Sequence, residues 1–433
     1  MLAGSVLQQL YTTVDSIVVG RFVGKYALAA VGASFPIIFF MVSLVMGVTM
    51  GSSVMVAQFF GARDLERLKK TIDTTAAFLL ASAVVVTVAG MAFSGQILRA
   101  IRVPAEVFPE ARSYLAIMFA GMFAMFGYNA VGAILRGLGD SKTPLYFLII
   151  ASITNIGLDL LFVVGLGWGV RGAAWATVLS QALSFGIGAR YMVRAEKTFL
   201  NVNPRALMLD RRVFVTMLQI GLPSGVQQSL VSLGFIALTR IVTPFGTDVM
   251  AGFTAASRLD SFASMPAMNL AMALSMFVGQ NLGAGRPERV RRGYLSTLIV
   301  AGTLSCATTL VMVLWGKALI ALFTPDPAVI AFGRQYLVIV SAFYVLFASM
   351  FITGGVLRGA GDTLAQMLIT LAALWIIRIP VSAFLASRIG PAGIWWGIPA
   401  GWIVGVGLSV CYYLTGRWKR RVLVRRAPAL SAQ

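Results

Sequence analysis

Long apolar stretches, each about as long as a bilayer is thick and nearly free of charge, set the tightest limit on what this chain can fold into. They fall at about residues 2–20, 31–57, 73–93, 112–134, 145–166, 172–193, 213–238, 250–278, 294–315, 330–355, 364–386 and 392–416. A helix crossing the hydrocarbon core needs about 20 such residues, and twelve of them use up most of 433 residues. The chain is 58% hydrophobic and 12% charged, whereas a soluble domain carries roughly 25% charged residues. Lipid must solvate most of its surface. The expected class is an all-α integral membrane protein with twelve transmembrane helices. No span is followed by the small-residue cleavage pattern of a signal peptide.

A net charge of +20 would point to nucleic acid in a soluble protein. Here the cations follow the connections between spans. Those at 63–70, 136–142, 190–212, 286–292 and 358, with a tail at 417–426, hold 23 of the 35 lysines and arginines. The alternate connections, counting Arg378 among them, hold 11, and Arg258 lies inside a span. Basic loops stay in the cytoplasm, so both termini are expected there, in a multi-pass protein of the cell inner membrane. The charge then serves topology and contact with anionic lipid headgroups, and nucleic acid is excluded as a partner.

The side chains of enzyme chemistry are scarce. The chain has no histidine, which removes the usual general base and the commonest metal ligand. Cys306 and Cys411 sit singly in apolar stretches, so neither a disulfide framework nor a zinc site can be built. No cofactor is expected, and an intramembrane enzyme is excluded.

The chain repeats itself at a shift of 222 residues. Val56-Ala57-Gln58-Phe59-Phe60-Gly61-Ala62 returns as Val278-Gly279-Gln280-Asn281-Leu282-Gly283-Ala284, and Leu135-Arg136-Gly137-Leu138-Gly139-Asp140 as Leu357-Arg358-Gly359-Ala360-Gly361-Asp362. Gly24 and Gly246, and Arg67 and Arg289, keep the same offset. A duplicated unit of six spans enters the membrane twice in one orientation, giving two six-helix bundles related by a pseudo-twofold axis along the membrane normal. The expected organisation is an N-terminal lobe over 1–193, a cytoplasmic linker over 194–212, a C-terminal lobe over 213–416 and a basic cytoplasmic tail over 417–433. Under the shift, the start of the seventh span at Val213 maps to before Met1, so a truncated or misassigned start is expected. The repeated Leu-Arg-Gly-x-Gly-Asp loops are expected to be structural. Their glycines supply positive φ, and Arg136 and Asp140 tie down a tight turn.

Of fifteen acidic residues, Asp15, Asp159 and Asp260 lie inside spans. An ionised aspartate at mid-bilayer costs about 2.5–3.5 kcal/mol on insertion scales and marks an ion or substrate path. Asn155 and Asp159 stand four apart, on one helix face, and Thr177 is in the next helix. Asp15 belongs to the first helix of the same half. Carboxylate, amide and hydroxyl oxygens converging in a bundle suit a hard cation such as Na+, and desolvated carboxyls can equally carry a proton. Asn155 or Thr177 alone reads as interhelical glue worth about 0.6 kcal/mol, but two acids in one bundle are poor glue. At the 222 shift Asp15 meets Ala237, Asn155 meets Ile377, Asp159 meets Val381, and Thr177 meets Ile398 or Pro399. The cluster therefore belongs to the N-terminal half alone. Arg258 and Asp260, two apart in the eighth span, pair with neighbouring helices or line a cavity.

Thr13-Val14-Asp15 leading to Val19-Gly20-Arg21, then Ala29-Ala30-Val31-Gly32, resembles the first two helices of the multidrug and toxic compound extrusion (MATE) family. The paired Leu-Arg-Gly-x-Gly-Asp loops, Val278 to Gly285 and Arg258-Leu259-Asp260 match it too. The resemblance covers essentially the whole chain. It implies two six-helix lobes forming a V-shaped cleft, and antiport of drugs against Na+ or H+. It further implies an N-lobe cation site made by Asp15, Asn155, Asp159 and Thr177, with the backbone carbonyl of Ala173. Another branch uses acids in the seventh and tenth helices. This chain has Gln227 and Gln228 in the seventh helix and Ala348 where that branch's aspartate would be, although Tyr344 is kept. A C-lobe group of Arg258, Asp260, Tyr344, Gln227 and Gln228 is a lesser candidate for substrate or proton.

The function expected is secondary active export of small amphipathic, often cationic, molecules by rocking of two lobes, with a single chain sufficing. The competing expectation is a flippase for lipids or lipid-linked oligosaccharides from the same superfamily. Such a flippase would want a more cationic cavity and commonly extra helices.

Overall fold

The computed structural model describes residues 2–100, 103–194 and 209–424, and these are overwhelmingly helical. The first half runs α1 (Leu2–Val18), α2 (Lys25–Ala62), α3 (Leu65–Ala100), α4 (Phe108–Ala120), α5 (Met122–Gly137), α6 (Lys142–Asp159) and α7 (Gly169–Val193). The second half runs α8 (Arg211–Val242), α9 (Thr247–Gly283), α10 (Pro287–Ala321), α11 (Pro327–Ser341), α12 (Tyr344–Ala360), α13 (Thr363–Leu371), α14 (Ile379–Ile389) and α15 (Pro391–Leu414). Three π-helical turns, Val19–Val23, Leu160–Gly165 and Ala372–Arg378, continue α1 and α6 and join α13 to α14. Among the described residues this makes twelve membrane-length segments, six in each half. Eight pass as spans on length and composition alone, and ten do so when each bent pair counts as one.

Two of the expected spans are not straight. The fourth breaks by 51° between α4 and α5, and the tenth by 53° between α11 and α12. The breaks sit at Gly121 and at Ala342-Phe343, and 121 and 343 differ by the repeat shift. Hydropathy runs unbroken through both positions, which is why the sequence reads each pair as one helix.

The repeat is visible atom by atom. Thr87 Oγ1 donates to the Phe119 carbonyl at 2.7 Å, and Thr309 Oγ1 donates to the Ser341 carbonyl at 2.6 Å. Gly139 and Gly361 take φ of 88° and 89°, the left-handed region that glycine enters without steric cost. Gly24 and Gly246, with φ of 107° and 96°, open α2 and α9. Gly137 and Gly359 have a different reason. A Cβ on Gly137 would lie 2.8 Å from the Ser53 carbonyl oxygen, and one on Gly359 would lie 2.8 Å from Val278 Cβ and against the Ser275 carbonyl. Each glycine lets α5 or α12 press directly on the backbone of α2 or α9.

Of the two residues expected to tie down the turn, Asp140 does so and Arg136 does not. Asp140 does fasten the turn, accepting from the N–H of Lys142 and of Thr143 at 3.0 Å and from Thr143 Oγ1 at 2.6 Å. Burial pushes its carboxyl up, but the Thr143 hydroxyl and the two backbone donors outweigh it and hold the group below the usual carboxylate range. Arg136 instead folds back beside Gly132, near the Tyr128 phenol. The placement of Arg378 in a loop is corrected as well. It ends the π-helical turn midway along the eleventh segment, which leaves the lighter face of the topology count lighter still.

Cα packing divides the chain into two compact units, one running from Ala3 to Gly225 and the other from Val226 onward. The division falls inside α8 because its first half packs into the first unit. Asp210 N–H donates to Thr74 Oγ1 at 3.2 Å, and Thr75 Oγ1 approaches Met217 Sδ at 3.6 Å. Gly47 and Gly51 of α2 meet α8 so closely that a Cβ on either would lie 2.6 Å from the carbonyl oxygen of Gly221 or Met217. Most of the expected linker, 195–208, and the end of the expected tail, 425–433, lie outside the described residues.

Candidate functional site

In the first unit α6 presents Asn155 and Asp159 one turn apart, and neither has any exposed surface. Next to them α7 presents Ala173, 1% exposed, and Thr177, 8% exposed, also one turn apart. The two helices are joined by the glycine-rich turn, where Gly167 and Gly169 have positive φ. With its amide nitrogen facing Asp159, Asn155 donates to Asp159 Oδ2 at 3.0 Å, and its oxygen accepts from Thr177 N–H at 3.3 Å. Asp15, half-buried on α1, brings its carboxyl beside that of Asp159. The structure therefore gathers Asp15, Asn155, Asp159 and Thr177 into one centre, with Ala173 a turn away on α7.

Two π-helical turns border this centre. One begins at Leu160, immediately after Asp159, the other at Val19, four residues after Asp15, and the two pack on each other and on α7. Turns of this kind widen a helix by one residue and recur at functional sites. Around them lies an apolar shell of Val18, Val19, Ala27, Met118, Val163, Val170 and Ala174. Within the shell, Asp15 Oδ1 and Asp159 Oδ1 are buried without a hydrogen-bond donor. Two carboxyl oxygens kept from water and from protein donors are what a hard cation or a proton would satisfy. Among the described residues no group of three or more acid, cysteine or histidine side chains converges, so the donor set suits a small monovalent cation rather than a transition metal.

Two residues of this centre were missed by sequence reasoning. The Tyr11 hydroxyl lies beside Thr177, within electrostatic reach of both aspartates. Tyr114 is 7% exposed and also faces Asp15, Asp159 and Tyr11. A signal for Tyr114 was present, since Tyr336 stands 222 residues later. Tyr11 has no such signal, because aromatic residues are common in every span.

The lesser group in the second unit is only partly assembled. Tyr344 Oη donates to Asp260 Oδ1 at 2.7 Å, and Tyr336 lies beside the same carboxyl. Arg378, which the sequence had assigned to a loop, is the nearby cation, without a direct ion pair to Asp260 among the described residues. Arg258 is exposed and does not join them. Gln227 donates to Thr370 Oγ1 at 2.7 Å, and Gln228 is exposed. A cavity of about 210 Å³ in the first unit is lined by apolar side chains such as Leu79, Phe123, Ile134 and Phe185, and by no member of the acid centre.

The family model MatE matches residues 1–161 and 223–384, one segment in each half of the repeat. Two proteins of Bacillus subtilis, the probable multidrug resistance proteins YpnP and YoeA, are each 32% identical to this chain. The alignments cover 97% of the chain and 94% of YpnP, and 98% of the chain and 93% of YoeA. A solved multidrug resistance MATE family transporter in an outward-facing conformation superposes with a TM-score of 0.89 at 26% identity, covering 96% of this chain and 93% of that one. Both halves of the repeat, the helical architecture and the full-length relatives lead to one assignment: this chain belongs to the MatE family of membrane transporters.

Proposed function

We propose that the protein is a secondary active exporter of small amphipathic, often cationic, molecules, driven by inward movement of Na+ or H+ through the centre of Asp15, Asn155, Asp159 and Thr177. The observation that carries this reading is the pair of buried carboxyls, Asp15 and Asp159, side by side. Among the described residues no lysine or arginine forms an ion pair with either. The names of the relatives, both probable multidrug resistance proteins, support drugs and toxins as cargo over lipid-carrier flipping.

Export against a gradient requires that cation and cargo bias the same conformational equilibrium in opposite senses. An acid pair that takes up a cation from one side and releases it on the other supplies that bias. One elementary charge crossing 100 mV contributes about 2.3 kcal/mol, and a tenfold concentration gradient about 1.4 kcal/mol. Asp159 and Asn155 hold the site from α6, Thr177 and the Ala173 backbone bound it from α7, and Asp15 closes it from α1. Movement of the two repeat halves against each other is the conformational step this reading adopts. The centre is built within one half of one chain, so a single chain suffices. The protein sits in the cell inner membrane with both termini in the cytoplasm, in keeping with the basic loops.

Dye efflux in inverted vesicles, driven separately by a Na+ gradient and by a pH gradient, tests the proposal. One of the two gradients is expected to concentrate the dye. Dye accumulation that neither gradient drives would overturn it.

A further inference from the structure

The two Leu-Arg-Gly-x-Gly-Asp loops share a backbone and part company at their aspartates. In both, the aspartate N–H bonds to the carbonyl five residues back, Leu135 or Leu357, at 2.9 Å. Asp140 then caps α6, but Asp362 turns elsewhere and accepts the Tyr412 hydroxyl at 2.5 Å. Tyr412 lies in the last turn of α15, so the loop of the second half grips the end of the last span.

Beyond the end of α15 the chain forms an ordered basic platform. Gly416 takes φ of 67°, and Arg417–Arg421 form a 3₁₀ turn. Trp418 in the middle of it is 2% exposed. Its ring stacks on Tyr413 at 5.4 Å, and its Nε1 donates to the Tyr413 carbonyl at 2.9 Å. Tyr413 in turn meets Tyr294 of α10 at 4.6 Å and lies within electrostatic reach of Arg291. Trp418 thus joins the core formed by Val278, Val290 and Leu357. Arg417, Lys419, Arg420, Arg421 and Arg291 are all exposed around it. Residues 415–424 contain no acid, and Asp362 is engaged by Tyr412.

A buried tryptophan that fixes four cations within five residues holds like charges together against their repulsion. An unanchored tail would let them spread. The platform begins three residues after α15 ends, which puts it at the level of the headgroups. There a cluster of four or more cations attracts anionic lipid, and arginine matches phosphate with paired donors. We propose that Arg417, Lys419, Arg420 and Arg421, with Arg291 beside them, form a binding site for anionic phospholipid headgroups, held in shape by Trp418. Through the Tyr412–Asp362 bond, lipid on this platform steadies the loop between α12 and α13. The site is built from residues of the second unit and the acid centre from residues of the first, and the proposal stands whatever the cargo or coupling ion.

Lipid retained by the purified protein from mixed micelles of equal phosphatidylglycerol and phosphatidylcholine, read by native mass spectrometry, tests this. The wild type is expected to enrich phosphatidylglycerol about fivefold or more. The enrichment should vanish in 1 M NaCl, where the screening length is about 3 Å. The combined variant Arg417→Gln, Lys419→Gln, Arg420→Gln and Arg421→Gln should lose most of that enrichment. It should keep its unfolding temperature in phosphatidylcholine but lose any rise caused by phosphatidylglycerol. Trp418→Ala, with every charge intact, should lose most of the enrichment. Undiminished enrichment in either variant overturns the site, and displacement of the lipid by millimolar inorganic phosphate overturns the assignment to a membrane lipid.

Discussion

The Asn155 amide nitrogen donates a hydrogen bond to Asp159 Oδ2 at 3.0 Å, one helical turn along α6. An amide in that position orients the carboxyl without competing with it for charge. Removing it in Asn155→Ala leaves Asp159 and the Thr177 N–H without that partner. Groups that orient metal ligands typically change affinity 10- to 100-fold when lost. The expected result is an apparent cation affinity weaker by about that factor, with the maximal export rate much less affected. The cation dependence of efflux in proteoliposomes separates the two.

The acids should divide by role. Asp15→Asn and Asp159→Asn keep shape while removing the charge to which the proposed function assigns the gradient's energy. Each is expected to abolish concentrative export while cargo binding, followed by equilibrium dialysis, persists. Asp260 is already engaged by Tyr344 and faces Arg378, so Asp260→Asn should slow export or alter the range of cargo without uncoupling it. Wild-type accumulation by both Asp15→Asn and Asp159→Asn would move the coupling role to Asp260.

The glycine contacts are quantitative tests of the packing. Gly137→Ala and Gly359→Ala drive a methyl into the Ser53 or Ser275 carbonyl, and overpacking of this kind costs about 1–3 kcal/mol. Gly157 on α6 has nothing within 4 Å of a notional Cβ, so Gly157→Ala should leave stability unchanged or slightly raised. Thermal unfolding in detergent is expected to rank both of the first two well below Gly157→Ala.

Topology can be read by labelling. Cys306 and Cys411 are exposed and must first become serine. Ser141→Cys, in the turn before α6, should then react with a membrane-impermeant maleimide only from the cytoplasmic side. Thr247→Cys, at the start of α9, should react only from outside. Reaction of Thr247→Cys from the cytoplasm would refute the twelve-span arrangement.

The spans, the repeat and the acid centre were legible because each leaves a one-dimensional trace. Apolar length marks a span, Asp15 and Asp159 stand out as charges where charge is costly, and identical phrases at one offset reveal the duplication. Other features leave no such trace. The breaks at Gly121 and Phe343 lie in apolar sequence, and a π-helical turn changes the register of a helix without changing its composition. Arg378 was counted with the connections because a lone cation inside an apolar stretch has no visible reason in sequence, and the groups near it, Asp260 and Tyr336, come from helices more than forty residues away. Asp362 looked like a copy of Asp140, and only the position of Tyr412 gives it a separate task. Duplication preserves backbone geometry more strictly than it preserves the partners of side chains.

The even number of spans in each repeat has an evolutionary consequence. A chain of half this length, ending after α7, would be threaded into the bilayer in one orientation, and a second copy would enter the same way. Fusion of two such genes end to end therefore needs no inverted insertion and no added helix to correct the polarity. Divergence of the two halves after such a fusion, at positions the scaffold does not use, would account for an acid pair at Asp15 and Asp159 in one half where the matching positions of the other hold Ala237 and Val381.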